Sequence, residues 1–206
     1  LLEDDFESYD TEESFDEVWE YNGSNRYIWS ITEENENSEN TVLKRSSGEL
    51  DKFIRKDFSE QDYKVSARVK EVASTGDGGH LSLCARYSVN ESGQETFYSI
   101  QMIPAKVWWA NGPTKVSFAL LKTVNGKETT LKDLTRNQVD STDGKFHDLS
   151  IEVKGDNVIF TVDGIVNEFT DNSISEGGVA IIGKNSGDTN KCTVEIDDLK
   201  VTTTSP

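Results

Sequence analysis

Only two imidazoles, His80 and His147, occur in the 206 residues, which narrows the acid–base chemistry open to the chain. No G-x-S-x-G string is present, so a serine nucleophile on a strand-to-helix elbow is not indicated. Two carboxylates on one strand could hydrolyse a glycosidic bond, one as acid and one as nucleophile or base. The nearest string is Glu195-Ile196-Asp197-Asp198-Leu199-Lys200. An E-x-D-x-x-E arrangement needs a second glutamate where Lys200 stands, so the pair is broken. A lyase built on a Gln-x-His strand would need a histidine that Gln101-Met102-Ile103 lacks.

Clustered carboxylates offer a second kind of chemistry. Glu3-Asp4-Asp5-Phe6-Glu7 opens the chain and Glu195 to Asp198 nearly closes it. Hard oxygen donors suit calcium better than a transition metal. The first and last strands of a sandwich can lie side by side, which would bring the clusters together. Val194 and Ile196 share one parity, whereas Leu199 and Val201 share the other. Both pairs belong in a core, so the ladder is expected to slip at Asp197–Asp198. A bulge there would aim a carboxylate inward, where charge is costly without a cation. An ordinary acidic strand end is the alternative.

Sugar recognition is the third possibility. Trp108-Trp109 sits between Pro104 and Gly112-Pro113. Adjacent side chains on a strand point to opposite faces, so two neighbouring indoles do not both belong in a core. An exposed indole packs on the CH face of a sugar ring. The other reading has one tryptophan plugging the core and its neighbour covering an edge. Arg86 falls on the polar parity of its strand with His80, either as a ligand contact or as a surface charge. Gln101 and Ser99 share a parity that could set them beside it. Trp19 and Trp29 are expected to be core residues or edge covers.

The elements that must position these groups are strands. Tyr63, Val65, Ala67 and Val69 alternate with polar neighbours, and Leu81, Leu83, Ala85 and Tyr87 do the same. Further strands are expected over Phe97–Met102, Val116–Lys122, Leu149–Val153, Asn157–Val162, Val179–Gly183 and Thr193–Val201. Turn signals separate them, including Asn125-Gly126, Lys154-Gly155-Asp156 and Asp163-Gly164. No stretch of helical length keeps a 3.6-residue period. An all-β, two-sheet antiparallel sandwich follows, as one domain over residues 1–201 with a Thr/Ser/Pro linker starting at 202–206.

Composition agrees with that class. Hydrophobic residues make up 34%, enough for strands that bury one face each. Fourteen of the 38 acidic residues but only one of the 21 basic ones, Arg26, lie in residues 1–40. Such a balance suits neither a nucleic-acid backbone nor an anionic membrane surface, and no apolar run has the length of a membrane span. Cys84 and Cys192 form no CxxC, so neither zinc nor redox chemistry is indicated. Two free, buried thiols are expected, a disulfide being the alternative. The chain opens at Leu1 without a signal peptide, as a processed or excised portion of a secreted protein would.

Several strings together resemble the laminin-G-like, concanavalin A-like jelly-roll superfamily. They are Asp4-Asp5-Phe6-Glu7, Leu83-Cys84-Ala85-Arg86-Tyr87, Phe97-Tyr98-Ser99-Ile100, Phe146-His147-Asp148-Leu149-Ser150-Ile151 and Ile196-Asp197-Asp198-Leu199-Lys200-Val201. The order is similar to that of non-catalytic, levan-binding-like modules of polysaccharide-degrading enzymes. The resemblance implies a structural calcium near the chain ends, with Asp5, Glu7 and Asp198 matching its ligands and Asp197 in reserve. It also implies sugar binding on a sheet face, with Arg86 matching a polar site there. Trp108-Trp109 has no counterpart in the pattern. The expectation is a secreted carbohydrate-binding module without catalytic residues, attached to other modules and binding a polysaccharide or oligosaccharide through His80, Arg86, Ser99, Gln101, Trp108 and Trp109. A jelly-roll glycosidase or lyase and a protein-binding adhesion domain are the alternatives, since fold does not choose among them.

Overall fold

The computed structural model describes all residues except 1, 5, 10–11, 36–37, 47–49, 76–79, 106–114, 135–143, 185–190 and 204–206. Among the described residues, fifteen strands, one seven-residue helix, α1 (Glu12–Val18), and a short 3-10 helix (Arg26–Ile28) make up the regular structure. The strands of the first half are β1 (Leu2–Asp4), β2 (Trp19–Asn22), β3 (Trp29–Glu33), β4 (Thr41–Arg45), β5 (Asp51–Arg55), β6 (Tyr63–Thr75), β7 (His80–Val89) and β8 (Glu95–Ala105). Those of the second are β9 (Lys115–Val124), β10 (Lys127–Leu134), β11 (His147–Lys154), β12 (Asn157–Val162), β13 (Ile165–Thr170), β14 (Gly178–Lys184) and β15 (Lys191–Thr203).

These strands form two antiparallel sheets. One runs β13-β12-β11-β6-β15-β4-β3, with β1 beside β15 as its eighth strand. The other has seven strands in the order β10-β9-β8-β7-β14-β5-β2. The period-2 pattern explains the core between them. Val65, Ala67 and Val69 of β6 and Ile151 and Val153 of β11 pack against Leu81, Leu83 and Ala85 of β7 and Ile100 and Met102 of β8. Each fully buried aliphatic or aromatic side chain contributes about 1.5–3 kcal/mol. Type I′ turns close two hairpins: Asn125 and Gly126 have φ of 50° and 75°, and Asp163 and Gly164 of 48° and 79°.

Trp19 and Trp29 are both buried. Asp4 anchors the N-terminal segment by accepting hydrogen bonds from the Phe6 N–H (3.3 Å), the Tyr9 hydroxyl (2.6 Å) and the Trp19 indole (2.8 Å). A second brace joins the sheets. Arg45 of β4 grips Asp51 of β5 in a two-point fork of 3.0 and 3.1 Å, and the Trp29 indole N–H adds 2.8 Å to the same carboxylate. Burial pushes the Asp51 carboxyl up despite its Arg45 partner. Gly183 lies under the guanidinium, where a Cβ would stand 2.1 Å from Arg45 Nε.

The expected slip at Asp197–Asp198 is present: the β15–β6 register shifts between Asp197 and Lys200, and Asp198 takes a φ of 48°. Val194, Ile196, Leu199 and Val201 all reach the core. The ladder continues past Val201, with Thr202 and Thr203 facing Lys64 and Tyr63, so the sheet extends two residues into the expected linker. Cys84 is a free, buried thiol, and burial pushes its pKa up. Cys192 faces Ser74 in the other sheet. Among the described residues no helix is long and apolar enough to cross a membrane.

Candidate functional site

The outward face of the seven-stranded sheet gathers three of the six expected sugar contacts, His80, Ser99 and Gln101. His80 and Ser82 project from β7 on the parity opposite Leu81 and Leu83. In the ladder Ser82 faces Gln101 and Cys84 faces Ser99, which places Ser99 and Gln101 of β8 on the same side. Ser99 is 0% exposed and its Oγ has no hydrogen-bond partner among the described residues. Buried hydroxyls are ordinarily paired, so this one marks a place where a partner is wanting. His80 lies beside Lys184 in the ladder. Burial, then the Lys184 and Arg45 charges, push its pKa down to about 4. A neutral imidazole at ordinary pH offers one N–H donor and one acceptor.

Sequence parity misplaces Tyr87 and Arg86, for one reason. A bulge interrupts β7, where Ala85 faces Tyr98 but the next pair is Ser88 with Thr96. Arg86 occupies the bulge with a φ of 51°. The inserted residue turns Tyr87 away from the core, to pack on Phe97 with ring centres 5.8 Å apart and planes at 25°. These two rings, with Cys84, Ala180 and Ile182, form a separate apolar cluster on the outward face. The Tyr87 hydroxyl donates to Glu95 Oε1 at 2.7 Å, and Lys52 pairs with the same oxygen. Ser82, Tyr87, Phe97 and Glu95 thus join the site without having been singled out by sequence.

Arg86 itself does not lie on that polar face. It is 1% exposed. Its Nε and one terminal nitrogen donate to the Gln61 carbonyl (3.0 and 2.7 Å). The other terminal nitrogen reaches the Ile174 carbonyl (2.5 Å), and the Gly155 carbonyl accepts as well (2.9 Å). Its backbone N–H donates to the Tyr63 hydroxyl, which in turn donates to the Gly178 carbonyl. Gly177 crosses so close that a Cβ would meet the Arg86 carbonyl carbon at 2.4 Å. The guanidinium is a clamp holding the chain at one end of the sandwich. Trp108 and Trp109 lie outside the described residues, in the segment joining β8 to β9.

The carboxylate string near the C-terminus belongs to β15, in the other sheet. Glu195 is buried between Lys44 (3.0 Å) and Lys70 (2.7 Å). Asp197 is buried too, and its Oδ2 accepts from Arg68 (2.5 Å) and Asn40 (3.0 Å) while Oδ1 takes the Asp198 N–H (2.7 Å). Asp198 is exposed and pairs with Arg68 at 2.6 Å. Glu7 accepts the Thr41 N–H at 2.5 Å. A guanidinium, that of Arg68, supplies the positive charge between Asp197 and Asp198. Asp5 lies outside the described residues, and among those described no three His, Cys, Asp or Glu side chains converge on a metal position.

No protein-family model matches the sequence, and no curated protein does either. Solved structures do match. A carbohydrate-binding module of family 66 from Bacillus subtilis superposes with a TM-score of 0.61 at 16% identity, over 89% of this chain and 94% of that one. A family 16 endo-glucanase from Bacteroides ovatus gives a TM-score of 0.67 at 14% identity, over 98% and 100%. A β-glucanase from Bacillus licheniformis gives 0.63 at 12%, over 98% of each chain. At these identities the likeness shows the fold, which is the concanavalin A-like jelly roll.

Proposed function

We propose that the chain is a non-catalytic carbohydrate-binding module that takes a neutral glycan on the outward face of its seven-stranded sheet. The observation that carries the reading is a row of polar groups there, in which Ser82 faces Gln101 beside Ser99, whose hydroxyl has no hydrogen-bond partner among the described residues. A neutral His80 adds a donor and an acceptor. Lys52 neutralises Glu95, which leaves the three central strands β14, β7 and β8 without an uncompensated carboxylate among the described residues. Trp108 and Trp109 are proposed as the stacking surface, since they belong to the connection between two strands of this sheet. The carbohydrate-binding module of Bacillus subtilis among the structural likenesses supports the same reading.

Binding without turnover fits the carboxylates. Among the described residues of this face Glu95 is the sole carboxylate on the three central strands β14, β7 and β8, and it is tied to Lys52 and Tyr87. Glycoside hydrolysis needs two carboxyl groups flanking the bond. A secreted location, as one module of a plant-polysaccharide-degrading enzyme, suits a polymer-binding role. The test is affinity electrophoresis of the parent, Gln101→Ala, His80→Ala and Trp108→Ala in gels containing β-glucan, xylan, mannan or fructan, with product analysis alongside. Retardation of the parent in one gel, lost in the variants, is the expected result. Release of reducing ends or unsaturated sugars would make the chain an enzyme and overturn it.

A further inference from the structure

The outward face of the eight-stranded sheet carries hydroxyl groups that neither the core nor the site above uses. Ser66 of β6 faces Ser150 of β11, and Ser150 faces Thr161 of β12. Lys200 of β15 lies on the other side of Ser66. The row therefore crosses four strands at a spacing of about 4.8 Å, close to the repeat of a hexose unit in an extended chain. These residues line a cleft of about 540 Å3, with Lys64, Arg68 and Asp148 beside them.

Small polar residues on a solvated sheet face are ordinary. Ser150 is what sets this row apart. It is only 8% exposed and lines the cleft, yet its hydroxyl has no hydrogen-bond partner among the described residues. The charges bordering the row largely cancel. Arg68 is engaged by Asp197 and Asp198, and Lys200 by Glu3. Lys64 and Asp148, of opposite sign, remain without an ion pair among the described residues. A ligand here would meet hydroxyls at a regular spacing and a slight excess of negative charge, Glu3, Asp4, Asp148 and Asp198 against Lys64, Arg68 and Lys200, which disfavours an anionic sugar.

We propose that this cleft is a second glycan site, holding one neutral oligosaccharide across the strands, with Ser66, Ser150 and Thr161 bonding successive sugar hydroxyls. It lies on the opposite side of the sandwich from the first site and does not depend on it. Among the described residues no aromatic ring lines the cleft, so affinity rests on a few neutral hydrogen bonds and is weak, on the order of millimolar. Two weak faces on one module would grip two chains of a polymer with an avidity neither has alone.

The test is a 15N NMR titration of the full chain with pentasaccharides of β-glucan, xylan, mannan and fructan, and separately with tetragalacturonate. At least one neutral oligosaccharide is expected to shift the Ser66, Ser150 and Thr161 amides saturably, and Ser66→Val/Ser150→Val to weaken that binding at least tenfold, read at Thr161. Valine suits a strand surface. Thr161→Val, which deletes little more than the hydroxyl, gives the same readout should the double variant not fold. Absence of shifts at those amides at concentrations on the order of 10 mM, unchanged affinity in the variants, or binding of the galacturonate alone would overturn the proposal. Ser99 and Gln101 report on the other face in the same spectra, so the two sites fail independently.

Discussion

Replacing Arg86 with methionine keeps a long apolar stem and removes the guanidinium. Three backbone carbonyls lose their donor: Ile174, which is buried, and Gln61 and Gly155, which are partly buried. A buried acceptor left unpaired costs about 1–3 kcal/mol. Taking about 2 kcal/mol for Ile174, and about 1 kcal/mol for each carbonyl that water can reach in part, the loss is about 4 kcal/mol. That is a large share of the about 5–15 kcal/mol that holds a domain together. With a urea m-value of about 2 kcal/mol/M, the midpoint should fall by about 2 M. Arg86→Lys, which keeps charge but not the fork, should fall in between. Equilibrium urea denaturation followed by tryptophan fluorescence measures it. A midpoint within about 0.5 M of the parent, combined with loss of glycan binding, would refute the reasoning, because Arg86 would then be a ligand contact and not a clamp.

Titration of the His80 ring by NMR should give a pKa near 4, well below its ordinary 6.5. The unfolded chain then binds the extra proton between those values, so stability should rise with pH from about 4 to 6.5 and His80→Gln should flatten the slope. Asp171 behaves as a depressed acid. Burial raises its pKa, but Lys122, the Ser173 hydroxyl and N–H, and the Tyr98 hydroxyl outweigh burial and hold the carboxyl well below the usual range. Its stabilisation is present above about pH 4 and is lost as pH falls further. Asp171→Asn should therefore lower the urea midpoint at pH 6, and the gap should narrow progressively as the pH falls below about 4. A structural calcium held by Asp5, Glu7 and Asp198, with Asp197 in reserve, predicts that chelator lowers the melting temperature and millimolar calcium restores it; no change with either overturns it.

Strands β6, β11, β12 and β15 were legible because valine and isoleucine alternate cleanly with polar residues, and the slip within β15 because its two apolar pairs differ in parity. β7, β8, β9 and β14 were expected as well, whereas β10 and the strands before β6 gave no such signal. β10 is an edge strand whose residues from Lys127 to Thr130 are all exposed. In β5 the inward position at Asp51 is polar, since its partner Arg45 comes from the other sheet and nothing local announces it. The site was half legible for a related reason. Alternation put His80, Ser99 and Gln101 on one face correctly, but it counts residues and cannot see an extra one. Arg86 and Tyr87 were misassigned because the bulge depends on Tyr63 and Gly177, distant in sequence. Arg68, the cation that meets Asp197 and Asp198, comes from mid-chain, so nothing local in the sequence announces it.

The bulge in β7 also governs how variants of this protein should be read. Position 86 fixes which side of the strand every later residue occupies, so while Arg86 is in place the aromatic pair on the outward face depends on that backbone kink. A screen for lost glycan binding will recover substitutions at Arg86, Tyr63 and Gly177 alongside genuine contacts, and soluble yield must be scored with binding to separate them. Deleting Arg86 would leave Tyr87 opposite Phe97 in an unbroken ladder but would remove the clamp on the Gln61, Gly155 and Ile174 carbonyls. Retuning of ligand preference is thus confined to Ser82, Ser99, Gln101 and the rim, while the strand beneath them is closed to insertion and loss.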